Sequence, residues 1–125
     1  MNFLSSFIYQ SELVSEVSEK TVVNNSIEFM KKNLKKSMKI EDFAANENLS
    51  VSRFSEVFKG KTGYPPIHYF IKIKIQKSCQ YLYFTDMSIK EICALVGFQD
   101  QYYFSRIFKK MMGVPPSKYK ALYKK

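Results

Sequence analysis

The sequence predicts an all-α fold in which two helix-turn-helix subdomains are joined by a long linker helix. Three observations support this prediction. Apolar residues recur every three to four positions through most of the chain, which is the period of helices with one buried face. Gly63, Gly113 and two Pro-Pro pairs stand at the ends of these stretches, where helices stop and start. The segment 40–69 is also repeated at 89–119, so one structural unit occurs twice.

Residues 1–20 are interpreted as a leader, either a short amphipathic helix or a weakly ordered stretch. The first helix-turn-helix subdomain is predicted over residues 21–63. It opens with a helix whose apolar stripe faces the core, and a short second helix follows. Residues 48–50 then form a tight turn, and Ser50 is placed to cap the third helix. Gly63 is expected to end that helix in a left-handed conformation.

The linker is predicted over residues 64–84, where no Gly or Pro interrupts the apolar pattern after Pro66. Its helix would be about 27 Å long at a rise of about 1.5 Å per residue. One face carries aromatic and aliphatic residues for packing. Lys72, Lys74 and Lys77 are expected to make the remaining sides basic.

The second helix-turn-helix subdomain is predicted over residues 85–125. Ser88 and Glu91 have the spacing of a capping box, in which each side chain satisfies the other residue's backbone N–H. After a turn, Asp100 is placed to cap the next helix, which Gly113 ends. A last short helix follows the second Pro-Pro pair.

The two subdomains match each other residue by residue. Before the turn the offset is 49, as for Phe43 and Ile92, and after the turn it is 50, as for Phe54 and Phe104. One residue is therefore inserted in the turn, where insertions cost least. Successive major-groove faces of B-DNA lie about 34 Å apart, so the linker and its flanking units could present two helices to one face of a duplex.

The net charge is +9, from 20 Lys and Arg against 11 Asp and Glu, and it is unevenly distributed. Residues 1–30 sum to −3 and the rest of the chain to +12. A basic body indicates a polyanionic partner, nucleic acid before membrane, although the same charge also favours solubility. No apolar run approaches the ~20 residues that span a bilayer, so no membrane partner is expected.

The chain offers no set of residues for catalysis. A lone His68, two cysteines and scattered carboxylates form no acid–base, nucleophilic or metal-binding group. We therefore predict that the protein is not an enzyme and binds neither metal nor cofactor. Cys79 and Cys93 lack CxxC spacing and fall in apolar helical patterns, which favours buried thiols in a reducing cytoplasm.

Motifs of the second subdomain resemble the DNA-binding domain of the AraC/XylS family of bacterial transcription regulators. The resemblance covers about residues 21–123. Its motifs stand in order: Ile-x-Glu-Ile at 89–92, Gly97-Phe98, Phe104-Ser105-Arg106, Phe108-Lys109, Gly113 and Pro115-Pro116. It departs from the family pattern at Ser78, Cys93, Lys74, Tyr119-Lys120 and, most notably, Glu56, which stands where a basic residue is frequent.

The resemblance implies seven helices, two adjacent major grooves as the binding site, and transcription regulation in the cytoplasm at the nucleoid. Double-stranded DNA and RNA polymerase are the implied partners. Regulators of this family often carry a sensor or dimerisation domain N-terminal to this one. We therefore expect the C-terminal domain of a longer regulator. A single-domain regulator and a basic protein-interaction module without sequence reading are the alternatives.

A helix in the major groove contacts bases with outward side chains of its N-terminal half. The predicted base-reading residues of the second subdomain are Gln101, Tyr102, Ser105 and Arg106, and those of the first are Ser52, Arg53, Ser55 and Glu56. The predicted phosphate contacts are Lys59, Lys61, Lys109 and Lys110.

The second subdomain has the side chains better suited to reading. Arg106 could contact guanine and Gln101 adenine in bidentate fashion, each for about 1–3 kcal/mol of discrimination. The alternative for Arg106 is a surface ion pair with Asp100. Glu56 either accepts from cytosine or repels phosphate, so the first subdomain is expected to position the protein more than to read.

Overall fold

Seven α-helices make up the computed structural model, which describes the backbone of residues 3–123 and the side chains of residues 18–123. No strand occurs within that part of the chain. The all-α prediction is therefore confirmed. The helices are α1 Phe3–Lys32, α2 Ile40–Asn46, α3 Val51–Thr62, α4 Pro66–Phe84, α5 Ile89–Leu95, α6 Gln101–Met112 and α7 Pro116–Tyr123.

Helix α1 is a single helix of 30 residues. The backbone of residues 3–20 is thus helical and continuous with the apolar stripe of residues 21–32. Residues 1 and 2 of the interpreted leader lie outside the described part of the chain, as do the side chains up to residue 17.

The chain forms two compact units. The first unit contains α1 as far as Phe29 together with Lys39–Pro66, and the second contains Met30–Met38 together with the chain from Ile67 onward. This partition places α4 after Pro66 in the second unit rather than in a separate linker. The boundaries at residues 63 and 84 stay a prediction.

The two longest repeated helices begin with the caps that the sequence predicts. Ser50 Oγ accepts a hydrogen bond of 3.1 Å from the Arg53 backbone N–H at the start of α3. Asp100 Oδ1 accepts one of 2.9 Å from the Tyr102 N–H at the start of α6. Both caps satisfy amide groups that have no partner inside the helix.

The predicted capping box and helix stops are also present. Ser88 and Glu91 exchange hydrogen bonds of 3.1 and 3.2 Å at the start of α5. Gly63 and Gly113 follow α3 and α6 with φ of 82° and 84°. A side chain would strain that left-handed backbone, which explains glycine at both positions.

The duplication is visible in the backbone. Helices α2 and α5 each have 7 residues, and α3 and α6 each have 12. The turn between them spans residues 47–50 in the first unit and 96–100 in the second. Each turn has one residue of positive φ, Asn48 at 58° and Gly97 at 79°. The predicted one-residue insertion therefore lies in the turn and leaves the helices unchanged.

Each unit has its own apolar core. Phe54 and Phe58 of α3, and Phe104 and Phe108 of α6, are fully buried, which confirms that these aromatics are core residues. The first unit also buries Val23, Phe43, Ala44 and Val57. Around its two phenylalanines, the second buries Ile75, Leu82, Ile92, Cys93, Val96 and Phe98.

The prediction that Lys74 lies on an exposed basic side of α4 is wrong. Its side chain is buried, and Nζ donates to the backbone carbonyls of Leu34 and Val96. Nζ also lies 4.2 Å from the centroid of the Phe70 ring. Burial lowers the Lys74 pKa to about 8. Lys74 therefore holds the end of α5, just before the turn that leads into α6.

Gly97 completes this packing in the second unit. A Cβ at this position would collide with the Leu34 carbonyl oxygen and the Lys74 ammonium, and its φ of 79° is itself unfavourable for other residues. The turn before α6 thus depends on glycine for two separate reasons. Asn48, which has the corresponding positive φ in the first unit, is exposed.

Candidate nucleic-acid interface

Helix α6 presents an exposed polar side opposite its buried phenylalanines. Gln101, Tyr102 and Arg106 are exposed, and Tyr102 leaves 70% of its surface accessible. The Arg106 guanidinium lies over the Tyr102 ring, with Cζ 5.7 Å from the ring centroid. The structure therefore leaves three of the four predicted base-reading residues of this unit accessible, with Tyr102 and Arg106 in contact.

The charge of Arg106 is not neutralised by a carboxylate in the described part of the structure. Asp100, the predicted alternative partner, uses its carboxylate to cap the Tyr102 N–H. The tyrosine ring is uncharged, so this cation–π contact leaves the positive charge in place. Arg106 is accordingly available for a guanine edge or a phosphate.

The remaining predicted contacts of α6 differ in exposure. Ser105 is half-buried, so it has less freedom to contact a ligand than its neighbours. Lys109 and Lys110 are exposed in the last turn of α6. Their charges also favour the negative end of the helix dipole, a role compatible with phosphate contact. Tyr103 was not predicted as a site residue, yet 42% of its surface is accessible beside the exposed side of α6.

Helix α3 presents a different surface on the same backbone. Ser52, Arg53 and Glu56 are exposed and Ser55 is half-buried. The Arg53 guanidinium is held at both ends, since Nη1 donates to Glu56 at 2.9 Å and Nη2 donates to Glu19 at 3.1 Å. Arg53 is therefore engaged by two carboxylates.

Glu19 of α1 also contacts the last turn of α3. Its Oε2 lies 3.7 Å from Lys61 Nζ, while its Oε1 accepts from Arg53. Lys59, the other predicted phosphate contact, is exposed. Sequence reasoning missed Glu19 because it lies 34 positions before Arg53. The sole signal was the acidic excess of residues 1–30.

The described residues include no cluster suited to metal binding. No group of three or more His, Cys, Asp or Glu residues there could hold a metal ion. Cys79 and Cys93 are free thiols; Cys93 is buried, as predicted, and Cys79 is half-buried. The Cys93 thiol donates to the Phe98 carbonyl at 3.3 Å, and burial raises its pKa.

One open groove of about 380 Å³ lies in the second unit. Lysine, glutamine and aliphatic side chains line it: Lys31, Leu34, Ile73, Gln76, Lys77 and Gln80. This lining supplies no nucleophile paired with a base. Among the described helices, none combines the length and apolar character needed to cross a bilayer.

Comparison with known proteins places these features in context. The profile of a helix-turn-helix domain family matches residues 43–121. The MmsAB operon regulatory protein of Pseudomonas aeruginosa is 40% identical over 92 residues, which are 74% of this chain and 30% of that protein. The chain thus spans about a third of the length of the curated relatives it matches.

Solved structures show the same fold. The C-terminal domain of AraT, a response regulator from Geobacillus stearothermophilus, superposes with a TM-score of 0.80 at 31% identity, covering 83% of this chain and 87% of that one. The DNA-binding domain of AdpA, solved in complex with a target DNA, gives a TM-score of 0.78 at 23% identity over 81% of this chain and 91% of that one.

Proposed function

The chain belongs to the AraC-type family of helix-turn-helix DNA-binding transcription regulators, and we propose that it reads duplex DNA with α3 and α6 in two adjacent major grooves. Members of this family bind DNA and are not enzymes. The duplicated backbone supports the proposal, since α3 and α6 have equal length, matching caps and matching left-handed stops. Two equivalent helices in one chain could address two grooves without a second copy.

The single observation that carries the proposal is the exposed side of α6. Gln101, Tyr102 and Arg106 lie in its N-terminal half, where a helix in the major groove meets base edges. The Arg106 charge has no carboxylate partner among the described residues, and its guanidinium suits the two acceptors of guanine. Lys109 and Lys110 extend the basic surface toward the C-terminal end, where phosphate contact is the expected role.

We further propose that the chain acts as the C-terminal domain of a longer regulator. The matched segment is 30% of each of two relatives, which leaves room in them for a separate sensor or dimerisation domain. The names of relatives, such as the MmsAB operon regulatory protein, support control of an operon. RNA polymerase as a partner, and action at the nucleoid in the cytoplasm, belong to the same proposal.

Selection from a random duplex library at near-physiological salt, followed by sequencing of the bound pool, tests this function. We expect an enriched motif of two blocks about 10 bp apart, one for each reading helix. A pool without enrichment, despite tight binding at low salt, would contradict sequence reading. That result would instead favour a basic protein-interaction module.

A further inference from the structure

We propose that Glu19 of α1 is an internal competitor of DNA phosphate for the basic side chains of α3. It would weaken binding by the first unit to any DNA sequence. The inference rests on the proposed DNA-binding function and adds a regulatory contact to it. Its basis is the pair of ion contacts that join Glu19 to Arg53 and Lys61.

The geometry makes Glu19 the fixed partner of this cluster. Its side chain is 26% exposed, whereas Arg53 is 47% and Lys61 36% exposed. The carboxylate uses both oxygens, one for each cation, at 3.1 and 3.7 Å. Arg53 and Lys61 are long and flexible, so they can leave the carboxylate and reach a phosphate while Glu19 stays on its helix.

The charges of the cluster cancel. Glu19 and Glu56 carry two negative charges, and Arg53 and Lys61 carry two positive charges. A phosphate approaching α3 therefore meets little net attraction from these four residues. It must displace a carboxylate before a new ion contact forms. Helix α6 has no such cluster in the described structure, so the competition is confined to the first unit.

The strength of the contacts fits a competitor rather than a permanent block. Exposed ion pairs contribute little to stability and are screened by salt. DNA phosphates, which are numerous and closely spaced, can therefore replace the carboxylate at a modest loss of affinity. Removing the negative charge at position 19 should recover that affinity and let Arg53 or Lys61 release more counterions from DNA.

Salt-dependent binding of two duplexes tests the proposal, one carrying a selected site and one scrambled duplex of equal length. The proteins compared are the full wild-type chain, Glu19→Gln and the control Glu28→Gln. Glu28 is exposed on the same helix and takes part in none of the ion pairs with α3. Both variants remove one negative charge, so any difference between them comes from the contacts with α3.

We expect Glu19→Gln to bind both duplexes about three- to tenfold tighter at low salt, with a salt slope steeper by about one unit. Glu28→Gln should follow the wild type closely because its charge is remote and screened. Equal behaviour of the two variants would overturn the proposal. Weaker binding by Glu19→Gln would also overturn it, since Glu19 would then be positioning Arg53 for DNA.

A double-mutant comparison tests whether Glu19 acts through Arg53 and Lys61. Because it compares affinity costs between two backgrounds, it does not depend on the stability of one variant. Arg53→Ala with Lys61→Ala should cost more affinity in the Glu19→Gln background than in the wild type. Equal costs would reject the competition. The scrambled duplex distinguishes a failure of the proposed sequence reading from a failure of the Glu19 competition. If the wild type binds both duplexes alike, the sequence reading is wrong, and the comparison of the Glu19 and Glu28 variants still tests the competition. Absence of all DNA binding would reject both.

Discussion

Helices α3 and α6 share one backbone and differ in surface charge. Their buried phenylalanines, caps and stops correspond at an offset of 50. On the exposed side, Glu56 of α3 occupies the position that Arg106 holds in α6, and Gly60 occupies that of Lys110. Two of the three cations of α3, Arg53 and Lys61, are also paired with carboxylates, whereas Arg106 contacts a neutral ring.

This difference shows which parts of a duplicated unit are free to change. Core residues and helix ends are constrained by packing density and backbone geometry, and they agree between the units. Outward side chains affect folding little, so their chemistry can diverge. The comparison predicts that α6 dominates sequence reading and that α3 contributes mainly positioning.

The largest expected effect is a loss of stability when glycine is replaced in the turn before α6. Gly97→Ala would drive a Cβ into the Leu34 carbonyl in a left-handed backbone, so we expect a loss of stability above about 3 kcal/mol. Gly113→Ala meets no atom within 4 Å and should lose only about 1–2 kcal/mol from strain. Asn48→Gly in the first turn should be close to neutral. Chemical denaturation measures all three, and equal losses for Gly97→Ala and Gly113→Ala would contradict the packing described.

The second largest effect is on discrimination between DNA sequences. Arg106→Ala should lower discrimination between a selected and a scrambled duplex by about 1–3 kcal/mol. Arg53→Ala, which removes the arginine of α3, should lower it less because Arg53 is held by Glu19 and Glu56. Competition binding with both duplexes measures the difference. An unchanged ranking of sites after Arg106→Ala would show that Arg106 does not read bases.

Lys74 gives the second unit a pH dependence. Its pKa is about 8 in the folded state and 10.5 as the ordinary value, so the unfolded chain binds more protons between these limits. Wild-type stability relative to Lys74→Met should therefore rise as pH increases from 8 towards 10.5. After solvent screening we expect a change on the order of 1–2 kcal/mol. Denaturation across this range measures it, and a constant difference would show that the buried ammonium is not desolvated.

A smaller difference between the units is expected in the salt dependence of DNA binding, to which their lysines contribute through phosphate contacts. Lys109→Ala should flatten the salt slope by about one unit for every sequence. Lys61→Ala should flatten it less, since Glu19 already engages that ammonium. Titrations at several salt concentrations give both slopes. Equal flattening would mean that Glu19 does not reduce the contribution of Lys61 to phosphate binding.

The smallest expected effect is a gain in stability from a substitution within α3. Gly60 lies inside the helix, and a Cβ there would meet no atom within 4 Å. Gly60→Ala should therefore stabilise the first unit by about 0.5–1 kcal/mol. Thermal unfolding detects the gain, with Lys110→Ala on α6 as the matched control of small effect. A loss of stability would indicate that α3 needs the flexibility of Gly60.

Local patterns predicted the parts of the fold that depend on neighbours in sequence. Ser50, Ser88 and Asp100 act within three residues of themselves, and their caps were readable from the chain. The buried site of Lys74 was not readable, because its partners Leu34 and Val96 lie 40 and 22 positions away. A lysine in an amphipathic helix is typically assigned to the solvent face.

The same limit applies to the candidate site. Periodicity correctly separated the buried phenylalanines of α6 from exposed Gln101, Tyr102 and Arg106. Whether a charge is free or paired depends on side chains brought in by other helices. The Glu19 contact is of that kind, whereas Arg106 contacts Tyr102 of its own helix. The base-reading and phosphate roles stay predictions until binding is measured.

The most direct test of unequal reading is a random duplex selection performed in parallel with the wild type, Arg106→Ala and Arg53→Ala. We expect the wild type to enrich two blocks about 10 bp apart. Arg106→Ala should lose the stronger block, while Arg53→Ala should keep both with the weaker one reduced. Loss of the stronger block with Arg53→Ala and not with Arg106→Ala would contradict the account, because α3 would then be the principal reading helix.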